Sequence, residues 1–185
     1  MEDTLQKTVK FVNDSFGGKK AHYVQTLHWL FVLKPDASLA LQIAAYGHDV
    51  ERAFKKDKGD RMRLMYEKPE QLTEHQEKSA AIMYDFIIHE FADSSLADSV
   101  KEIISKHEIG GTDDQNLLKD ADSLSYLEVN APRHVGHLGE VPGSEMRDKF
   151  RWMYERISSK KAKELAAPYY EKALNLLEEA LRNII

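Results

Sequence analysis

His48 and Asp49 come straight out of an apolar run, 39–46, whose one strongly polar residue is Gln42. An imidazole followed at once by a carboxylate offers two metal ligands, or a base and its orienting acid. A carboxylate buried there costs several kcal/mol unless a partner or a metal ion holds it. Four further polar residues stand at helix ends or among apolar neighbours: His22, His75, His107 and Asp122. The set comprises four imidazoles and two carboxylates. It is hard enough for Mn²⁺, Fe²⁺ or Mg²⁺ and nitrogen-rich enough for Fe, Ni, Co or Zn. The chain has no cysteine, so a metal ion has only histidine and carboxylate to bind. Singly, each residue also has a plainer role: His75 as an exposed first-turn residue, His107 as a cation at a helix C-terminus, His22 as a cap. Their joint order is what points to a centre. Asp120 competes with Asp122, and His28 with His22. His28 lies about 120° off the His22 face at 100° per residue, which makes it a core or supporting residue.

These residues have to be held by helices, because periodicity of 3.6 runs through the chain and no strand pattern competes with it. The spacing of Leu5, Val9 and Val12 predicts a first helix closed by Gly17-Gly18. A second spans 22–33 and stops before Pro35, and Asp36 is placed to cap a third that carries His48-Asp49. The stretch 54–71 is dense in charge and reads as a connection with a short helical turn. Thr73 and Gln76 form a capping-box pattern that starts a fourth helix, with a core stripe of Ala80, Met83, Tyr84, Ile87 and Phe91 and with His75 in its first turn. Ser94-Ser95 opens a fifth, with Leu96, Val100, Ile103 and Ile104 inward, ending near His107 before Gly110-Gly111. Thr112 and Gln115 make a second capping box, opening a sixth helix that holds Asp122. The segment 130–144, with Pro132, Gly136, Gly139, Pro142, Gly143 and the histidines 134 and 137, reads as a long loop before two final helices. The expected class is all-α.

At 185 residues the chain is long enough for one domain with a full core, so 1–185 is taken as a single unit. A net charge of −5 argues against a nucleic acid polymer as partner, and the apolar runs are too short for a membrane span. The acidic, polar start predicts no secretory leader, and the absence of cysteine fits a cytoplasmic protein. Oligomerisation is compatible with the sequence.

The order H…HD…H…H…D resembles the HD-domain superfamily of metal-dependent phosphohydrolases. Ala44-Ala45-Tyr46-Gly47-His48-Asp49 looks like that family's small-residue run into its signature dipeptide. His75 with Ser79-Ala80 resembles the start of its third-histidine helix, Ile104-Ser-Lys-His107-Glu108 its fourth-histidine segment, and Leu118-Lys-Asp-Ala-Asp122-Ser-Leu124 its closing segment. The likeness covers 21–127, which it marks as a metal-binding core followed by the loop 130–144 and C-terminal helices over 145–183. It implies a compact single-domain helical bundle with one or two divalent ions per chain, His22, His48, Asp49 and Asp122 holding the first and His75 and His107 a second. One ion is the preferred count, because only a tight loop separates His107 from Asp122. The implied reaction is hydrolysis of a small phosphorylated substrate, a nucleotide among the candidates, with Asp49 on the metal and Glu51 as general acid or base. Arg52, Lys106 and Arg133 would face the phosphate. Relatives with two irons that oxidise a substrate with O₂, and a non-catalytic ligand-binding module, are the alternatives. Arg52 stands where several nucleotidase-like branches carry a catalytic glutamate, and the Gly-Tyr-Pro run of a phosphodiesterase-like branch is missing, which leaves the branch open.

Overall fold

The computed structural model describes residues 2–55 and 69–183. It comprises α1 (Glu2–Ser15), α2 (Ala21–Leu33), α3 (Leu39–Gly47), a 3₁₀ turn (Val50–Ala53), α4 (Pro69–Phe91), α5 (Ser94–Ile104), α6 (Asp113–Ser125), a π-helical turn (Tyr126–Asn130), α7 (Ala131–Val135), α8 (Gly143–Glu155) and α9 (Lys160–Arg182). Among the described residues there is no strand, so the class is all-α as the patterning predicts. Of the charged connection expected over 54–71, residues 56–68 lie outside the described part of the chain.

Helix α3 is the hub. Its residues Leu41, Ile43, Ala44, Ala45, Tyr46 and Gly47 are buried, and α1, α2, α5 and α6 all pack on it. Ser38, not Asp36, caps it, by accepting from the Leu41 N–H at 3.2 Å. The helix starts at Leu39, so the cap falls to the residue just before it; Asp36 instead pairs with Lys34. Gly47 is what lets α4 come close, since a Cβ there would lie 2.7 Å from Met83 Sδ. The helix stops at that glycine, His48 caps its C-terminus, and Asp49 leaves helical geometry to lead into the 3₁₀ turn. The His48-Asp49 pair therefore occupies a corner, where its two side chains can aim apart.

Helix α4 is described from Pro69 onward, so Thr73 lies inside it and the 73–76 pattern does not serve as its start. Gln76 accepts instead from the Glu108 N–H at 2.8 Å, tying α4 to the end of α5. His75 is thus in the second turn rather than the first, and it is buried. The inward stripe is Ala80, Met83 and Ile87, with Tyr84 and Phe91 packed at its margin. The second capping box forms as expected, Thr112 and Gln115 each bonding the other's backbone N–H. Before it, Gly110 and Gly111 take φ of +84° and +159°, reversing the chain so that α6 returns beside α5.

The segment 130–144 is not a structureless loop. A π-helical turn continues α6, and α7 follows it, with Pro132 in the first turn, where no N–H is needed. Helices α8 and α9 then pair with each other and cover α6. The largest fully buried side chains include Leu30, Leu41, Ile43, Met83, Ile104, Leu118, Leu124 and Phe150, drawn from nearly every helix. Among the described residues no helix is long and apolar enough to cross a membrane.

Candidate metal centre

Helix ends from five directions meet at one place. His22 comes from the start of α2, His48 and Asp49 from the corner after α3, and His75 from α4. His107 and Glu108 lie just past α5, and Asp122 in the last turns of α6. The four imidazoles form a chain of edge-on rings, with centroids 5.5 Å apart for His22–His48, 5.0 Å for His48–His107 and 5.5 Å for His107–His75. Two ligand groups result, His22 with His48 and Asp122, and Asp49 with His75, His107 and Glu108.

In each histidine the Nδ1 atom is already engaged, and this sets what Nε2 can do. His48 Nδ1 donates to the Ala45 carbonyl at 3.1 Å, and His107 Nδ1 to the Ile104 carbonyl at 2.8 Å. His22 Nδ1 donates to Ser125 Oγ at 2.9 Å, because that hydroxyl spends its own proton on the His22 carbonyl. His75 Nδ1 donates to Glu51 Oε1 at 2.5 Å. The neutral form of every ring therefore turns an Nε2 lone pair inward. Those lone pairs face carboxylate oxygens: His22 and His48 stand 3.0 and 3.3 Å from Asp122 Oδ1, and His75 and His107 stand 2.6 and 3.6 Å from Asp49 Oδ1. Acceptor facing acceptor needs a proton on the ring or a metal cation between them. Nε2 of His48 and of His107 are buried without a hydrogen-bond partner. These buried His, Asp and Glu groups are able to hold a metal ion.

Burial alone would raise the Asp49 carboxyl, but the charges of Arg52, His75 and His48 hold it well below the usual carboxylate range. Asp122 is likewise held low against its burial, by Arg156, His48 and a hydrogen bond from His22. His75 shows the opposite balance. Burial lowers it, but the Asp49 charge and its hydrogen bonds to Asp49 and Glu51 outweigh burial and the Arg52 charge, raising it to about 9. A value raised from 6.5 stabilises the metal-free fold fully below about pH 6.5, and that contribution is lost as pH climbs through about 9, up to about 3 kcal/mol. Denaturant midpoints of chelator-treated protein should therefore fall between about pH 7 and 9.5. A flat profile there would show that His75 carries no proton in the metal-free protein. A metal ion must displace that proton, so metal affinity should rise over the same interval.

Asp49 groups with His75, His107 and Glu108 rather than with His22, His48 and Asp122, the set the resemblance implied. The tight Gly110-Gly111 reversal does not push the second group away. It stacks the end of α5 beside α6, so that His107 lies edge-on to His48. Glu51 is buried behind His75, bonded to that ring and to Lys55, so it orients an imidazole instead of facing the centre as a free acid or base. Lys106 and Arg133 are exposed on the surface. His28 is exposed as well, not core, because its 120° offset turns it to solvent. Asp120 is buried elsewhere, accepting from the Ser158 and Ser159 N–H groups ahead of α9. His134 bonds the Tyr126 hydroxyl, and His137 pairs with Glu140.

Sequence reasoning missed Glu108 as a ligand, although it directly follows His107, and it missed Arg156 altogether. Arg156, at the end of α8, reaches Glu108 with one terminal nitrogen and Asp122 with the other, and donates to Ser123 Oγ at 2.8 Å. It ties one carboxylate of each group together. No local pattern marks such a residue; only its distance from any other reason to be charged could have drawn attention to it.

These features define an all-helical protein whose helix ends enclose a buried histidine–carboxylate centre fitted for metal. Over residues 2–177 the chain matches the family described as a domain of unknown function, DUF4202, and it belongs to that family. No curated protein and no solved structure matches it.

Proposed function

We propose that the protein is a metal-dependent phosphohydrolase of the HD type acting on a small phosphorylated molecule, a nucleotide being one candidate. The observation that carries this reading is the set of four inward Nε2 atoms, each with its Nδ1 engaged, facing carboxylate oxygens. The ordered H…HD…H…H…D likeness supports it further. A divalent ion held there supplies Lewis acidity, polarising a phosphoryl oxygen and making water a nucleophile near neutral pH. The adjacent ligand groups favour two ions over one: His22, His48 and Asp122 for the first, and Asp49, His75, His107 and Glu108 for the second.

The chain's own contribution is orientation and charge. Asp49 Oδ1 faces His75 and His107 while its Oδ2 accepts from Arg52 Nε at 2.7 Å. The Arg52 side chain is 30% exposed beside Asp49, at a position a phosphate oxygen arriving from solvent would reach. Arg52→Ala should leave the metal content unchanged and raise the KM for a phosphorylated substrate about tenfold. Loss of metal in that variant would reassign Arg52 to holding Asp49.

Metal analysis of the purified protein, joined to a screen of phosphorylated metabolites with Mn²⁺, Co²⁺, Ni²⁺ and Mg²⁺, tests the reading. Metal-dependent phosphate release is the expected result. Two equivalents on titration support two ions, and one equivalent returns the mononuclear alternative. The same seven ligands suit an HD-type di-iron oxygenase; two irons per chain with substrate-dependent O₂ uptake and no phosphate release would favour that instead. Purified protein without metal and without phosphatase activity would point to a non-catalytic module.

A further inference from the structure

Lys149, Trp152 and Arg156 sit three and seven residues apart on one face of α8. The Trp152 ring carries both cations, the Lys149 ammonium at 4.2 Å and the Arg156 guanidinium at 4.6 Å from its centroid. Tyr126, from the π-helical turn, adds a second ring at 5.7 Å from the Lys149 ammonium. Arg156 spends its charge on Asp122 and Glu108, and Arg52 spends its own on Asp49. Nothing comparable is left for Lys149: among the described residues no carboxylate or carbonyl oxygen accepts from its ammonium. Its neighbour His134 offers no negative charge either. Burial, with the Arg133 and Lys149 charges, pushes that imidazole down to about 4, and its Nδ1 bonds the Tyr126 hydroxyl.

An ammonium held in a partly buried side chain gives up part of its hydration, and two π faces return only some of that. Burial accordingly draws Lys149 down to about 8, the attraction of Glu108 and Asp122 being offset by repulsion from Arg156 and Arg52. Among the described residues the flank of the centre thus holds Arg156 and Arg52, each paired with carboxylate, and Lys149, which is paired with none. The missing counter-charge is an anion that comes and goes.

We propose that Lys149, cradled by Trp152 and Tyr126, is the residue that grips the phosphate of the substrate beside the metal centre. The inference rests on the phosphohydrolase reading and adds to it a named phosphate seat, built by α8 and the π-helical turn rather than by the helices that carry the histidines. Arg52 reaches the centre from the 3₁₀ turn beside Asp49, so a phosphate bound there would meet cations from two different elements. The aromatic rings also make the seat less tolerant of water than an open lysine, which strengthens the ionic hydrogen bond formed there.

The test is calorimetric titration of the metal-loaded protein with inorganic phosphate. Wild-type protein should bind it. Lys149→Met keeps the stem and loses the charge, so phosphate affinity should fall about tenfold or more while metal equivalents and melting temperature stay unchanged. Lys149→Arg should restore most of the affinity, since it returns a cation to the same rings. Should the methionine variant melt early, Lys149→Gln provides the neutral comparison. Unchanged phosphate affinity in the neutral variant, with wild type binding phosphate, overturns the role of Lys149 and leaves the phosphohydrolase reading standing. Metal-loaded wild type that binds no phosphate at all overturns both.

Discussion

Asp49→Asn should strip most of the metal from the protein and lower turnover by on the order of a hundredfold or more, with the fold intact. Asp49 is the carboxylate that faces the Nε2 atoms of His75 and His107, and it receives the Arg52 side chain on its other oxygen. Asparagine keeps that shape and still accepts from Arg52, so the corner after α3 has no reason to open. What disappears is the charge that offsets a divalent ion in a largely buried position. The same charge is the chief support of the His75 proton, so the variant should also lose much of the stability change between about pH 7 and 9.5. Metal content by elemental analysis and unfolding curves at two pH values are the measurements. Full metal content together with full activity in Asp49→Asn would remove this centre from the chemistry.

Arg156→Met should be the most destabilising single change at the centre, costing about 3–5 kcal/mol in the metal-free protein. The guanidinium is nearly fully buried and neutralises two carboxylates at once, with side-chain exposures of 7% for Glu108 and 8% for Asp122. Methionine fills the volume but leaves both charges desolvated and without their guanidinium, with only the imidazoles beside them. Adding Glu108→Gln should recover part of the loss by removing one of them, and added metal ion should recover more by neutralising both. Chemical denaturation of the single and double variants with and without metal measures each step. A cost near zero for Arg156→Met would mean that Asp122 and Glu108 find other partners, and the bridge between the two ligand groups would lose its significance.

Much of the helical frame was legible because its causes lie within a few residues. The Thr112–Gln115 box forms where the pattern puts it, and Ser94, Gly110-Gly111 and the apolar spacing of α5 act over a single turn. Where local reading failed, a nearby residue had won, Ser38 over Asp36 as a cap; and α4 already runs through Thr73, so the pattern there does not open it. Pro132 misled because a proline in a first turn looks, in sequence, like a proline in a loop.

For the centre, the six residues His22, His48, Asp49, His75, His107 and Asp122 could be picked out by their joint order at helix ends or among apolar neighbours. Their meeting depends on something else. Asp49 turns toward His75 and His107 because α3 ends at Gly47 and the backbone changes direction there, beside Met83 of α4. Glu108 joins the centre from just past α5, and Arg156 through α8, which returns to it 34 residues beyond Asp122. Periodicity records which side of a helix is buried, and that is a local property. Which helix lies across from it is decided by the packing of the whole core, so long-range ion pairs leave no trace in spacing.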